Sequence, residues 1–337
     1  MRPARREVNP CARRGLPARC FSRLDPVMSD HLKGLLITGL GVLLIVPDSL
    51  FVRLIGADAL TIAFWRSLLT AAAIGLWVLV TRGPGAFGAV LRLGPAAWAY
   101  AAATGLTGLL FVLAVSMTSV ANVVFIIAAM PAFAALLSWA FLGERPSRRT
   151  VATILVVMVG IGVIALGSGE TEGATFVGDM VALAVALAFA IALTIARSLR
   201  ADSMVPAIPV GYFAAAVLLF FVSEPMSVPA GDWIFVALHG GVFIAGATAL
   251  IAIGPRYLPS AEVALLILLE SVLAPLLVWL VLGETVGVWT LAGGALVLGA
   301  LAASNAVALA GKRRVRVAPG TSVPPPLPPG NGAPPGA

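Results

Sequence analysis

The sequence predicts an all-α integral membrane protein, ten transmembrane helices arranged as two inverted five-helix repeats. Three observations carry that expectation. Hydrophobic residues make up 60% of the 337 positions and charged residues only 11%. One apolar stretch is written twice, 140 residues apart. The connecting segments alternate in the sign of their charge along the whole chain.

Soluble domains carry about 25% charged residues and cannot keep this much apolar surface from water. A β-barrel is excluded, because barrel strands alternate apolar and polar residues and these runs are apolar on every face. The net charge of +7 does not indicate nucleic acid, since Arg and Lys gather in loops and tails, where they orient a membrane protein. Cys11 and Cys20 are the only cysteines and both precede the first apolar run, so no disulfide framework or thiolate metal site supports the fold.

The repeated stretch is ANVVFIIAAMPAFAALLSWAFLGE at 121–144 and AEVALLILLESVLAPLLVWLVLGE at 261–284. Ala121, Val123, Ile127, Ala134, Leu136, Leu137, Trp139, Leu142, Gly143 and Glu144 all recur at the same spacing. Each copy is an apolar run of about 22 residues, enough at helical rise to cross a ~30 Å hydrocarbon core, and ends in Leu-Gly-Glu. The first repeat is placed at 33–168 and the second at 176–310.

Residues 1–32 form a basic extension with several prolines and few acids, a composition that does not pack, which reads as a disordered extension or as an upstream start-site error with Met28 the natural beginning. A targeting segment or an arm for anionic lipid is the functional alternative for it. A cleavable signal peptide is not expected, because the apolar run from Gly34 is too long for one. Ten spans follow, at 33–54, 59–81, 94–117, 120–142, 150–167, 176–199, 206–222, 231–253, 260–282 and 286–310. Arg82, Arg92, Arg145, Arg148, Arg149, Arg197, Arg200, Arg256 and the Lys312–Arg316 cluster then fall on one face. Asp58, Glu170, Glu172, Glu224, Asp232 and Glu284 fall on the other. The positive-inside rule places both termini in the cytoplasm. Five spans per half is an odd number, so the second half sits upside down relative to the first, an arrangement that places transporter substrate sites near the midplane between halves. Residues 311–337 run from a basic cluster into a Pro/Gly-rich tail read as disordered.

Ionisable groups within a span are costly in hydrocarbon, so each needs a partner, water or a purpose. Five polar candidates stand out: Asp48, Arg66, Asn122, His239 and Glu270. Counting ~1.5 Å per residue from the outer boundary puts Asp48 at roughly 9 Å, Arg66 at roughly 10 Å, His239 at roughly 12 Å and Glu270 at roughly 18 Å. Asp48 and Arg66 therefore match in depth on consecutive helices, which fits either a locking ion pair or substrate contact. Glu270, at the centre of its span with no Lys or Arg within a turn, is either an acid hydrogen-bonded between helices or a proton- or cation-binding group. His239 beside Gly240 and Gly241 is either a ligand or a histidine satisfied by a backbone carbonyl, and Asn122 lies near a helix start. Pro131 and Pro275 fall mid-span in the two repeated helices and predict interruptions at corresponding places, which would point to a binding site. Small residues four apart, Ala184, Ala188 and Ala192, and Ala295 with Gly299, offer close helix packing and a homodimer face.

The sequence has no HExxH, GxSxG or Walker A motif, and its two histidines leave little for a metal site. No enzyme activity, cofactor or metal is expected. The two helices running from Pro131 to Glu144 and from Glu270 to Glu284, with VPDSLFVRLIGAD in span 1 and FWRSLL in span 2, resemble the EamA family of the drug/metabolite transporter superfamily. The resemblance covers about 33–310, with Ser271 standing where the second copy of the family usually has proline. It implies a secondary carrier of the bacterial inner membrane, often an exporter of amino acids or other metabolites; with no nucleotide-binding domain to drive pumping, export of a small metabolite such as an amino acid or amine is expected to draw on an ion gradient, with the proton as coupling ion. It also implies a central cavity lined by Asn122, His239 and Glu270. The competing readings are a membrane scaffold or lipid-handling protein of the same fold, and a membrane-embedded enzyme.

Overall fold

The computed structural model describes residues 30–167, 174–199, 204–253, 257–258 and 260–317, so the readings of 1–29 and of 318–337 lie outside the described residues. The first repeat supplies α1 (Asp30–Ile45), α2 (Asp48–Leu54), α3 (Ala59–Arg82), α4 (Gly85–Leu91), α5 (Pro95–Met117), α6 (Val120–Ile127), α7 (Met130–Leu142) and α8 (Arg148–Leu166). The second supplies α9 (Phe176–Ser198), α10 (Ala207–Phe220), α11 (Trp233–Val236), a π-helical segment Ala237–Ile244, α12 (Ala245–Ile253), α13 (Ser260–Leu282) and α14 (Val288–Val317). Taking broken helices as one, eight are long and apolar enough to cross a membrane among the described residues. Two more apolar helices are shorter, Ala207–Phe220 and Leu266–Leu282.

Local chemistry sets the helix ends. Asp58 caps α3 by accepting from the backbone N–H of Leu60 at 2.9 Å and of Thr61 at 3.1 Å. Burial pushes the Asp58 carboxyl up, but these hydrogen bonds outweigh it and hold the group below the usual carboxylate range. Ser119, Ser147 and Thr175 cap α6, α8 and α9 in the same way. The duplicated Leu-Gly-Glu is a helix stop: Gly143 and Gly283 have φ of 69° and 72°, a left-handed conformation that glycine adopts without a Cβ clash.

Three spans are interrupted, one of them beside Pro131 as expected and two elsewhere. The first breaks at Val46–Pro47, between α1 and α2. The fourth breaks at Ala128–Ala129, which puts Pro131 in the first turn of α7, where its missing N–H costs no helical bond. The eighth passes through the π-helical segment. Pro275 lies inside an uninterrupted α13, which corrects the expectation of matched breaks at Pro131 and Pro275. Beyond the spans, α4 is helical where the sequence reading had a loop, and α14 runs on through the basic cluster from Lys312 to Val317, past the expected span end at 310.

Packing between the repeats is reciprocal. α5 lies along α9 and α1 along α12; α5 meets α10 as α3 meets the π segment; α3 pairs with α10, α6 with α13, and α8 with α14. Glycines allow the closest crossings. A Cβ on Gly211 would collide with the Ala101 carbonyl, and one on Gly293 would stand 2.5 Å from the Gly160 carbonyl oxygen. Ala188 and Ala192 are buried against neighbouring helices of the same chain, whereas Ala184, Ala295 and Gly299 are exposed.

The segments with acidic loops meet one another at one end of the bundle. Gly56 N–H donates to Asp232 at 2.8 Å, Glu224 N–H to the Thr61 hydroxyl at 3.1 Å, and Trp65 Nε1 to the Pro225 carbonyl at 2.9 Å. The largest apolar cluster, which includes Ile62, Phe111, Val123, Ile126 and Val236, joins helices of both repeats.

Candidate functional site

The break at Pro47 lets α2 start anew inside the bundle, with Asp48 in its first turn, where free backbone N–H groups favour a negative side chain. Asp48 is 2% exposed and Arg66, mid-way along α3, is 5% exposed. The two form a bidentate ion pair: Nη2 lies 2.7 Å from Oδ2, and Nε donates to Oδ1 at 3.1 Å. Arg66 also points Nη1 at the Gly108 carbonyl, 3.5 Å away, and its guanidinium lies 5.5 Å from the centre of the Phe111 ring. A Cβ on Gly108 would stand 2.7 Å from the Tyr212 ring and 3.0 Å from Arg66 Nη1.

His239 joins the same carboxylate. Its Nε2 is 2.6 Å from Asp48 Oδ1, and Phe51 stacks on the imidazole with ring centroids 5.5 Å apart. The π-helical segment that carries His239 changes the helical register by a residue, and such segments recur at functional sites. Gly240 lies against the α3 backbone, and the Thr70 hydroxyl donates to its carbonyl at 3.0 Å. Asp48 is thus shared by a cation from α3 and an imidazole from the second repeat.

Glu270 stands apart from that saturated network. It is half-buried on α13 and has no hydrogen-bond partner among the described residues, although it lies within electrostatic reach of Asp48 and Arg66. Ser271 beside it reaches the Val124 carbonyl at 3.4 Å, which ties α13 to α6. With serine at that position and proline one turn later, the helix continues unbroken past the carboxylate.

Asn122 is not with the other four. Its amide nitrogen donates to Asp179 at 2.9 Å, its oxygen accepts from Thr290 at 2.7 Å, and Thr118 donates to the same Asp179 oxygen at 2.7 Å. This fully buried cluster joins α6, α9 and α14. Sequence reasoning missed Asp179, Thr118 and Thr290; Asp179 carried a signal, being an acid four residues into an apolar run. It also missed the ion pair of Arg53 with Glu284, 3.3 Å apart at the acidic face. No three His, Cys, Asp or Glu side chains gather to hold a metal among the described residues.

Comparison with known proteins adds a family. The family model described as the EamA-like transporter family matches twice, over residues 32–166 and 176–306. No protein of curated function matches the chain. Twelve chains of solved structures do. One of them, a crystal structure 19% identical in sequence, is matched over 84% of this chain and 98% of its own with a TM-score of 0.55. At that identity the likeness is one of fold. Two matches that divide the helices where the internal repeat divides them, and that together span most of the sequence, place this chain in the EamA-like transporter family of the drug/metabolite transporter superfamily.

Proposed function

We propose that the protein is a secondary carrier that exports a small metabolite, an amino acid or an amine, by alternating access coupled to a proton gradient, with Glu270 as the group that holds proton and substrate in turn. The observation that carries this reading is the contrast between Glu270 and its neighbours. Asp48, Arg66 and His239 satisfy one another. Glu270, at the middle of an unbroken helix, keeps its carboxyl unspent. A carboxylate held within the bundle without a hydrogen-bond partner is expensive, so the group is neutral when it holds a proton or when a substrate cation lies against it. Those two states are the two loads of an exchanger. The reciprocal packing of the repeats supports a site reached from each side in turn.

Linkage gives a direct test in detergent solution. In weakly buffered wild-type protein, the substrate amine should release a proton on binding, and in Glu270→Gln it should bind without release. Binding with no proton release in the wild type would contradict the proposal.

The same reading places ten spans in the bacterial inner membrane with both termini in the cytoplasm. The contacts between loops of like sign at one end of the bundle support that placement. Reporter fusions at Arg148 and Glu170 should then read opposite sides of the membrane, and the same side for both would break the five-span parity of each half. Ala184 on α9 and Ala295 with Gly299 on α14 are the exposed small residues that could serve a homodimer contact.

A further inference from the structure

On the acidic face, one carboxylate of the second repeat holds two elements of the first. Glu284 Oε2 lies 3.3 Å from Arg53 Nε, and its Oε1 accepts a 2.8 Å hydrogen bond from Val120 N–H. Arg53 also donates through Nη2 to the Thr118 carbonyl at 3.0 Å. Glu284 follows the end of α13, while Arg53 ends α2 and Thr118 and Val120 form the turn between α5 and α6. The clasp therefore bridges the two halves above the candidate site, since Asp48 and Arg53 share the single short helix α2. Its side chains are 29% and 20% exposed, so water and salt reach the pair from its rim, although Arg53 Nε itself is buried.

The parts of this clasp recur in the chain. Glu144 is the copy of Glu284 at 140 residues, at the close of the other Leu-Gly-Glu. Arg53-Leu-Ile-Gly-Ala-Asp58 returns as Arg197-Ser-Leu-Arg-Ala-Asp202, with Arg, Ala and Asp at the same places. With the second copy upside down, Glu144 would fall on the basic face. We propose that Arg53 and Glu284 form an ionic latch that closes the acidic face of the carrier, and that Glu144, the repeat copy of Glu284, takes part in closing the basic face. The balance between the two then sets which way the site opens. This inference rests on the alternating-access reading, and its test below reads accessibility and needs no flux, so the two can fail separately.

The test uses the full chain with Cys11 and Cys20 replaced by serine and Leu273→Cys as reporter, three residues from Glu270 on α13 and half-buried. A membrane-impermeant thiol reagent is applied from the acidic face, and labelling is normalised to that of denatured protein. Arg53→Gln and Glu284→Gln should each speed labelling about fivefold, the shift a partly exposed ion pair supports. The double variant should label no faster than the faster single, and Arg53→Lys should keep the parent rate. Glu144→Gln should slow labelling by a similar factor. If the glutamine variants do not fold, the parent protein still decides, because raising the ionic strength should speed its labelling. No change in the single variants, additive effects in the double, or a parent rate indifferent to salt would overturn the acidic-face latch. Unchanged or faster labelling in Glu144→Gln would overturn its counterpart.

Discussion

Glu270→Gln should fold as the wild type does and lose gradient-driven transport altogether, while retaining exchange of substrate across the membrane. Glutamine keeps the shape of the side chain and a hydrogen-bonding end, and the carboxyl has no partner among the described residues to lose, so the helix packing of α13 should not register the change. What disappears is the charge that a proton or a substrate cation neutralises. A fixed neutral group still lets the carrier reorient when loaded, but it no longer links that step to proton movement. The check is flux in liposomes with and without a pH gradient, on variant protein shown to be folded by its thermal transition. Coupled flux with wild-type pH dependence in Glu270→Gln would make Glu270 a packing acid and move attention to His239 and Asp48.

The second large effect is expected at the ion pair. Neutralising Asp48 alone leaves the Arg66 guanidinium buried with no counter-charge, and the reverse change strands the carboxylate, at a cost of about 3 to 5 kcal/mol in pairs of this kind. Asp48→Asn with Arg66→Gln removes both charges and should recover much of that loss, so the double variant should be more stable than either single one. Thermal unfolding in detergent of the wild type, both singles and the double closes the cycle. His239 refines the expectation. Because Asp48 also faces its Nε2 at 2.6 Å, Asp48→Asn disturbs two partners and should be the more damaging single change. A double variant no better than the worse single would show that the pair does not stabilise the fold, and both residues would become candidates for substrate contact.

The parts of this fold that were legible in the sequence are those written in local terms. Apolar run lengths marked the eight long membrane-crossing helices among the described residues, and the duplicated segment marked the two halves, which the family match divides at the same place. The Asp48–Arg66 contact was legible as well, because it joins consecutive helices at equal depth, 18 residues apart. What stayed hidden depends on partners that no local pattern encodes. His239 meets Asp48 across 191 residues, and Asn122 meets Thr290 across 168. Read alone, Asn122 looked like a helix-end group. The π-helical register around His239 is a one-residue change that composition does not mark. Pro131 and Pro275 show the limit of a single-residue rule. The same residue type starts one helix and is absorbed within another, because a membrane helix tolerates proline where neighbouring groups satisfy the freed carbonyls.

The most direct test of the carrier reading is flux through the purified protein in liposomes, screened over amino acids, nucleosides and amines with and without an imposed pH gradient. Saturable uptake of an amino acid or amine against its own gradient, collapsing when the pH gradient is dissipated, is the predicted result. Leak that neither saturates nor responds to the gradient across the whole panel would contradict it.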